Sequence, residues 1–182
     1  MGSASPKRSP NFFRARGFSV IFPAEHEDMA RHLIADLWSM QLKLATAESC
    51  TGGLIAALLT EVPGSSEVFE RGYVTYSNEA KIDILGVSQK SLDNLGAVSA
   101  DVASAMAVGA LKVSIADIAV AVTGIAGPGG ETPAKPIGLV YIAAQRRGKR
   151  VTGREYRFGN AGRQVIRLAA VYEALSLVRQ VM

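Results

Sequence analysis

Ser49 and Cys50 stand between an apolar run and the triplet Thr51-Gly52-Gly53. KLATA (43–47) reads as a short buried strand, and LIAALLTEV, from Leu54, reads as a helix that stops before Pro63-Gly64. A strand-to-helix junction aims backbone N–H groups at an incoming anion, and the helix dipole adds partial positive charge. Two glycines let a substrate approach the backbone closely. A serine there can attack a carbonyl while the neighbouring amides hold the oxyanion. The same serine can also serve simply as a helix cap. Cys50 lacks a histidine partner and reads as a small buried apolar side chain.

A nucleophilic serine needs a base. His26 and His32 are the only histidines. On a helix they lie about 240° apart around the axis, so they cannot share a metal, and they support no serine triad. Lysine is the remaining candidate. In Tyr76-Ser77-Asn78-Glu79-Ala80-Lys81 a strand ends and a helix opens, which sets Lys81 one turn into the helix at the sheet edge. A lysine acts as a base only when neutral, and burial or a nearby positive group is needed to bring that about near neutral pH. A solvated helix lysine is the alternative. A third segment, Gly124-Ile125-Ala126-Gly127-Pro128-Gly129-Gly130, is dense in glycine after a strand. It can bring main-chain amides to a ligand or act as a plain wide turn. It is neither a P-loop nor G-x-G-x-x-G.

These residues must be held by a folded body. The chain has 182 residues, 48% hydrophobic and 20% charged, near the size of one domain. No stretch is long and apolar enough to span a membrane. The single cysteine rules out an internal disulfide and fits a reducing, cytoplasmic setting. Residues 1–23 read as a flexible basic tail and 24–182 as one domain. The net charge of +4 matches Lys7, Arg8, Arg14 and Arg16 of the tail, so the rest is balanced. The balance is uneven: residues 23–134 carry a net −8 and residues 135–182 a net +8. Such asymmetry can bind phosphate or hold two chains together. A neutral body with 7% aromatic residues makes nucleic acid a poor partner. The run RRGKR (146–150) reads as a solvated hairpin tip.

Strands and helices alternate. Met29, Leu33, Ile34, Leu37 and Leu42 approximate helical spacing. GYVTY (72–76) is rich in strand formers, and short helices follow, opened by Ser77 or Asn78, by Ser88, and by Ser99 with Asp101. IAVAV (118–122) is a buried strand. IGLVYIAAQ and VTGREYRF form a hairpin. The last helix places Val165, Leu168, Ala169, Tyr172, Leu175 and Val178 on one stripe. The expectation is a three-layer α/β/α sandwich with a mixed central sheet.

AESCTGG (47–53), PGSSEVFERGYVTYSNEAK (63–81), GAVS (96–99), TGIAGPGG (123–130) and KPIGLVY (135–141) together resemble the CinA C-terminal domain family, over about Leu33 to Met182. Bacterial members of that family include a nicotinamide mononucleotide amidohydrolase. The resemblance implies an α/β/α domain that dimerises. It implies hydrolysis of the mononucleotide's carboxamide to nicotinate mononucleotide and ammonia, a step in pyridine nucleotide salvage. It carries the nucleophile onto Ser49, the base onto Lys81, and an assisting role onto Tyr76. It also carries a phosphate contact onto Arg163, although the family's Gly-Asp-Arg stretch here reads Gly159-Asn160-Ala161-Gly162-Arg163, without the aspartate. Longer members carry a preceding domain, resembling molybdopterin-binding folds and associated with a pyrophosphatase activity. That activity is not expected of this chain.

The mechanism expected from these parts is acyl transfer. Neutral Lys81 deprotonates Ser49, amides near Thr51, Gly52 and Gly53 hold the oxyanion, and Tyr76 orients the pair by hydrogen bonding. Thr123, Gly127, Gly129 and Gly130 border the nucleotide, with Arg163 at its phosphate. No metal or organic cofactor is called for. The competing expectation is a non-catalytic module that senses a nucleotide or docks a partner in competence or DNA damage, using the same pocket without turnover.

Overall fold

A computed structural model describes residues 21–182. Most of the tail expected over 1–23 therefore lies outside the described residues. Phe22, inside that span, is buried against the core. Helix α1 (Ala24–Ser39) leads into strand β1 (Leu44–Glu48), helix α2 (Leu54–Thr60) and strand β2 (Phe69–Val74). Helices α3 (Asn78–Leu85), α4 (Gln89–Leu95) and α5 (Ala100–Lys112) follow. Strands β3 (Ile118–Gly124), β4 (Leu139–Arg146) and β5 (Thr152–Arg157) and helix α6 (Arg163–Val181) complete the order.

The five strands lie in the order β2-β1-β3-β4-β5. β1 is parallel to both β2 and β3, whereas β3–β4 and β4–β5 are antiparallel. The sheet is mixed, as expected. From β1 the chain crosses to β2 by α2 on one face and returns to β3 by α3–α5 on the other. The C-terminal ends of β1 and β3 thus flank a switch in topology, where open α/β sheets place their ligands.

Strand alternation divides the core in two. Leu44, Ile118, Val120, Val122, Val140 and Ile142 face α1, α2 and α6. Ala45, Ala47, Ala119, Ala121 and Ala143 face α5 and its neighbours. The alanine face lets α5 lie close, and Gly109 of α5 takes this to its limit. A Cβ there would stand 2.0 Å from the Leu85 carbonyl oxygen at the end of α3. Truncating a bulky residue on the other face, such as Ile142→Ala, carries the ~2–5 kcal/mol cost of a core cavity.

One expectation needs correction and another gains a detail. The apolar stripe of the last helix is rotated: Ile166, Ala170, Val171, Ala174, Leu175, Leu177 and Val178 are buried, Leu175 and Val178 being common to both sets, and Val165 is exposed. A wide buried arc against the sheet and α1 replaces the narrow seam. These residues are used within the chain's own core, so an argument for a second copy falls to the charge asymmetry. At the hairpin tip residues 147–150 are exposed, as expected, and Arg147 is in addition tied to the main chain. Its guanidinium donates to the carbonyls of Leu111 (2.7 Å), Ser114 (3.0 Å) and Ala116 (2.7 Å), closing the C-terminal end of α5. Main-chain oxygens left over at a helix end attract such a cation.

Candidate active site

The sheet register sets the distance between the two residues that matter most. The Ser49 amide donates to the Val122 carbonyl (3.0 Å), which extends the β1–β3 pairing one residue past the strand. The Thr75 amide donates to the Glu48 carbonyl (2.9 Å), which does the same for β1–β2. The chain then turns, and the Ser77 hydroxyl caps α3 by accepting from the Ala80 amide (3.0 Å). Lys81 comes one turn later and folds back over the turn it left.

Lys81 is 1% exposed. Its Nζ lies 3.1 Å from Ser49 Oγ and 2.7 Å from the Thr75 carbonyl oxygen. The carbonyls of Tyr76 (3.3 Å) and Ser77 (3.5 Å) complete the surroundings. No carboxylate touches it among the described residues. Burial therefore holds the Lys81 ammonium below the usual lysine value, against a small opposing influence from Cys50. A neutral amine here has two N–H bonds to give the carbonyls and a lone pair to face Ser49 Oγ. Burial also pushes the Cys50 thiol up to about 12. Cys50 thus remains a neutral thiol, packed in the core and unsuited to attack.

Two residues that pattern reading does not single out hold the turn at residues 49–53. The Glu48 carboxylate is buried and accepts from the amides of Gly53 (3.0 Å), Ile55 (3.1 Å) and Ala56 (3.0 Å), and from the Thr46 hydroxyl (3.3 Å). It closes the start of α2 from beneath. From α6, Arg167 donates to the carbonyls of Cys50 (3.1 Å) and Thr51 (2.7 Å). An acid directly ahead of a helix start was the available signal for Glu48. Arg167 was signalled only by its place one turn after Arg163.

These bonds alter the expected oxyanion site. Gly53 gives its amide to Glu48, and Gly52 gives its amide to the Ser49 carbonyl (3.0 Å). Of the three expected donors, Thr51 alone keeps an uncommitted N–H among the described residues. The buried hydroxyls of Thr51 and Thr75 also lack protein partners. Tyr76 touches the Lys81 amine through its carbonyl, not its phenol, which is exposed and stands 3.4 Å from Arg163 Nη2. Thr123 is buried, and its hydroxyl donates to the Ala97 carbonyl (2.8 Å), tying β3 to the loop before α5.

The remaining expected residues gather at one cleft of about 360 Å³, lined by Tyr76, residues 124–130 and Arg163. Gly127, Gly129 and Gly130 take φ of +71°, +77° and +83°, the left-handed turns that let this loop fold over the end of β3. Arg163 Nη1 donates to the Gly127 carbonyl (2.8 Å), so the loop and α6 meet across the cleft. Tyr76 connects the two halves, with its carbonyl on Lys81 and its ring on the cleft. The histidines lie apart. His26 is buried with Nε2 at 3.0 Å from the Leu168 carbonyl, and His32 is exposed. Among the described residues no three His, Cys, Asp or Glu side chains converge as metal ligands. None of their helices is long and apolar enough to cross a membrane.

Residues 26–182 match the model of the family described as CinA C-terminal domain. The chain is 49% identical over 160 residues to a putative competence-damage inducible protein of Caldicellulosiruptor saccharolyticus, covering 88% of this chain and 38% of that protein. The share covered across similar curated relatives runs from 32% to 41%, so the chain spans roughly two fifths of their length or less. It is similar to the crystal structure of competence/damage inducible protein CihA from Agrobacterium tumefaciens. The TM-score is 0.87 at 51% identity, over 90% of this chain and 99% of that one. A CinA superfamily protein from Escherichia coli gives a TM-score of 0.82 at 34% identity, over 92% and 97% of the two chains. A match that covers the strands, the turn at residues 49–53 and the cleft loop together places this chain in the CinA C-terminal domain family.

Proposed function

We propose that the protein hydrolyses the carboxamide of nicotinamide mononucleotide to nicotinate mononucleotide and ammonia, with Ser49 as nucleophile and Lys81 as base. The observation that carries this reading is the 3.1 Å contact between Ser49 Oγ and an amine that is buried without a carboxylate. Neutral Lys81 takes the Ser49 proton as Oγ attacks the amide carbon. The oxyanion is held by an amide of the nucleophile turn. On collapse the C–N bond breaks, and Lys81 returns the proton to the departing ammonia. Water then attacks the acyl ester by the same route, releasing the acid and restoring Ser49.

The substrate class follows from the family resemblance, and the cleft is consistent with it. Tyr76 offers an exposed ring for a flat pyridine, and Arg163 offers a guanidinium for phosphate. The missing aspartate before Arg163 is replaced in part by the Gly127 carbonyl, which fixes one arm of the guanidinium. A second copy of the chain is the partner we expect, held by the opposed charges of residues 23–134 and 135–182.

The test is ammonia release from a small panel of pyridine nucleotides. The unaltered chain is expected to turn over the mononucleotide, and Ser49→Ala to lose at least ~10³-fold in rate. Equal rates in the two would remove Ser49 from the chemistry. Binding without product from either would favour the nucleotide-sensing module.

A further inference from the structure

The nucleophile turn is held from both sides, and the upper hold has a consequence for catalysis. We infer that Arg167 is a positioning residue that fixes and polarises the Cys50–Thr51 peptide, so that its N–H is the oxyanion donor. This rests on Ser49 being the nucleophile. Around the turn, the amides of Gly52, Gly53, Leu54, Ile55 and Ala56 all have acceptors. The Cys50 amide also has no acceptor among the described residues, but it belongs to the Ser49–Cys50 peptide, whose carbonyl accepts from the Gly52 amide and not from Arg167. The Thr51 N–H is left with no protein acceptor among the described residues.

Arg167 holds the carbonyl end of that same peptide and the carbonyl of the next one. Its Nε donates to the Cys50 carbonyl at 3.1 Å, and its Nη2 donates to the Thr51 carbonyl at 2.7 Å. Across a trans peptide the C=O and N–H point in opposite directions. Anchoring the carbonyl toward α6 therefore turns the Thr51 N–H away from it. A cation on the carbonyl also draws electrons from the amide, and hydrogen bonds in series strengthen one another. Among the described residues Arg167 pairs with no carboxylate, so none competes with the two carbonyls for its guanidinium. Gly52 makes room for it. A Cβ there, at φ +59°, would stand 3.3 Å from Arg167 Nη2.

The test uses a fluorophosphonate probe on the full chain, with Ser49 labelling followed by mass spectrometry. In the labelling step the Ser49 Oγ–P bond forms, the P–F bond breaks, fluoride leaves and the serine proton passes to Lys81. The phosphoryl oxygen occupies the oxyanion position. Arg167→Ala is expected to label ~30- to ~100-fold more slowly, somewhat less than the loss of a whole oxyanion donor. Arg167→Lys should fall between the two, since it restores one donor of the pair. Added guanidinium should recover part of the loss in Arg167→Ala. Equal labelling of the unaltered chain and Arg167→Ala overturns the inference alone. So does slow labelling that guanidinium leaves unchanged and that tracks a lower melting temperature. No labelling of Ser49 in the unaltered chain overturns this inference and the Ser49 reading together.

Discussion

Two basic side chains of this molecule are surrounded by main-chain carbonyls, and only one of them is proposed to react. Lys81 meets the carbonyls of Thr75, Tyr76 and Ser77 at the C-terminal ends of the parallel strands. Arg147 meets those of Leu111, Ser114 and Ala116 at the other end of the sheet. Carbonyl surroundings without a carboxylate are therefore not the mark of a reactive group. Two differences separate the regions. Lysine can give up its proton and arginine does not. Ser49 Oγ also stands 3.1 Å from Lys81, whereas only carbonyls accept from Arg147.

Exchanging the chemistry of each side chain breaks the comparison most sharply. Lys81→Met keeps the volume and removes the base, and ammonia release should fall by at least ~10³-fold. Arg147→Lys should leave that rate within about twofold and lower unfolding stability by ~1–2 kcal/mol, because an ammonium cannot reproduce a fork shared by three carbonyls. A large loss of turnover in Arg147→Lys at unchanged stability would erase the distinction.

The next effect concerns stability against pH. Lys81 has a folded pKa below its unfolded value of 10.5, so the folded state disfavours the ammonium. Between the depressed folded value and 10.5 the unfolded chain binds more protons, and folded stability rises with pH. The destabilisation is fully present below that window and absent above it. Relative to Lys81→Met, the unaltered chain should therefore gain stability as pH climbs toward 10.5, measured by urea unfolding. A difference that stays constant across that range would mean Lys81 does not titrate abnormally. The smallest expected effect is that of Tyr76→Phe. The phenol makes one long contact to Arg163 at an exposed position, so kcat should change by about threefold or less and any loss should appear in KM.

Much of the fold was legible because its signals are local. Ser77, Ser88 and Ser99 cap helices as their side chains predict, and the hairpin and buried strands follow from apolar runs between turn residues. The Ser49–Lys81 pair joins residues 32 apart, and it was reached by elimination of histidine and by family resemblance, not by spacing. The remaining features depended on tertiary placement. Which amides of the 49–53 turn stay free is decided by Glu48 reaching back under α2, and no composition reveals that. Arg167 and Cys50 are 117 residues apart and meet only because α6 crosses the face that carries α2. Thr123 reads as a polar residue beside a glycine loop, yet the neighbouring Ala97 carbonyl takes its hydroxyl. The rotated stripe of α6 has the same origin, since a helix packed against both a sheet and α1 buries more than one seam.

The claim beneath all of this is that an uncharged Lys81 activates Ser49. The pH dependence of mononucleotide hydrolysis tests it most directly. The account predicts a rising limb with a midpoint below 10.5 in the unaltered chain, and its disappearance in the residual activity of Lys81→Met. Hydrolysis by Lys81→Met with the same rate and the same rising limb would contradict it.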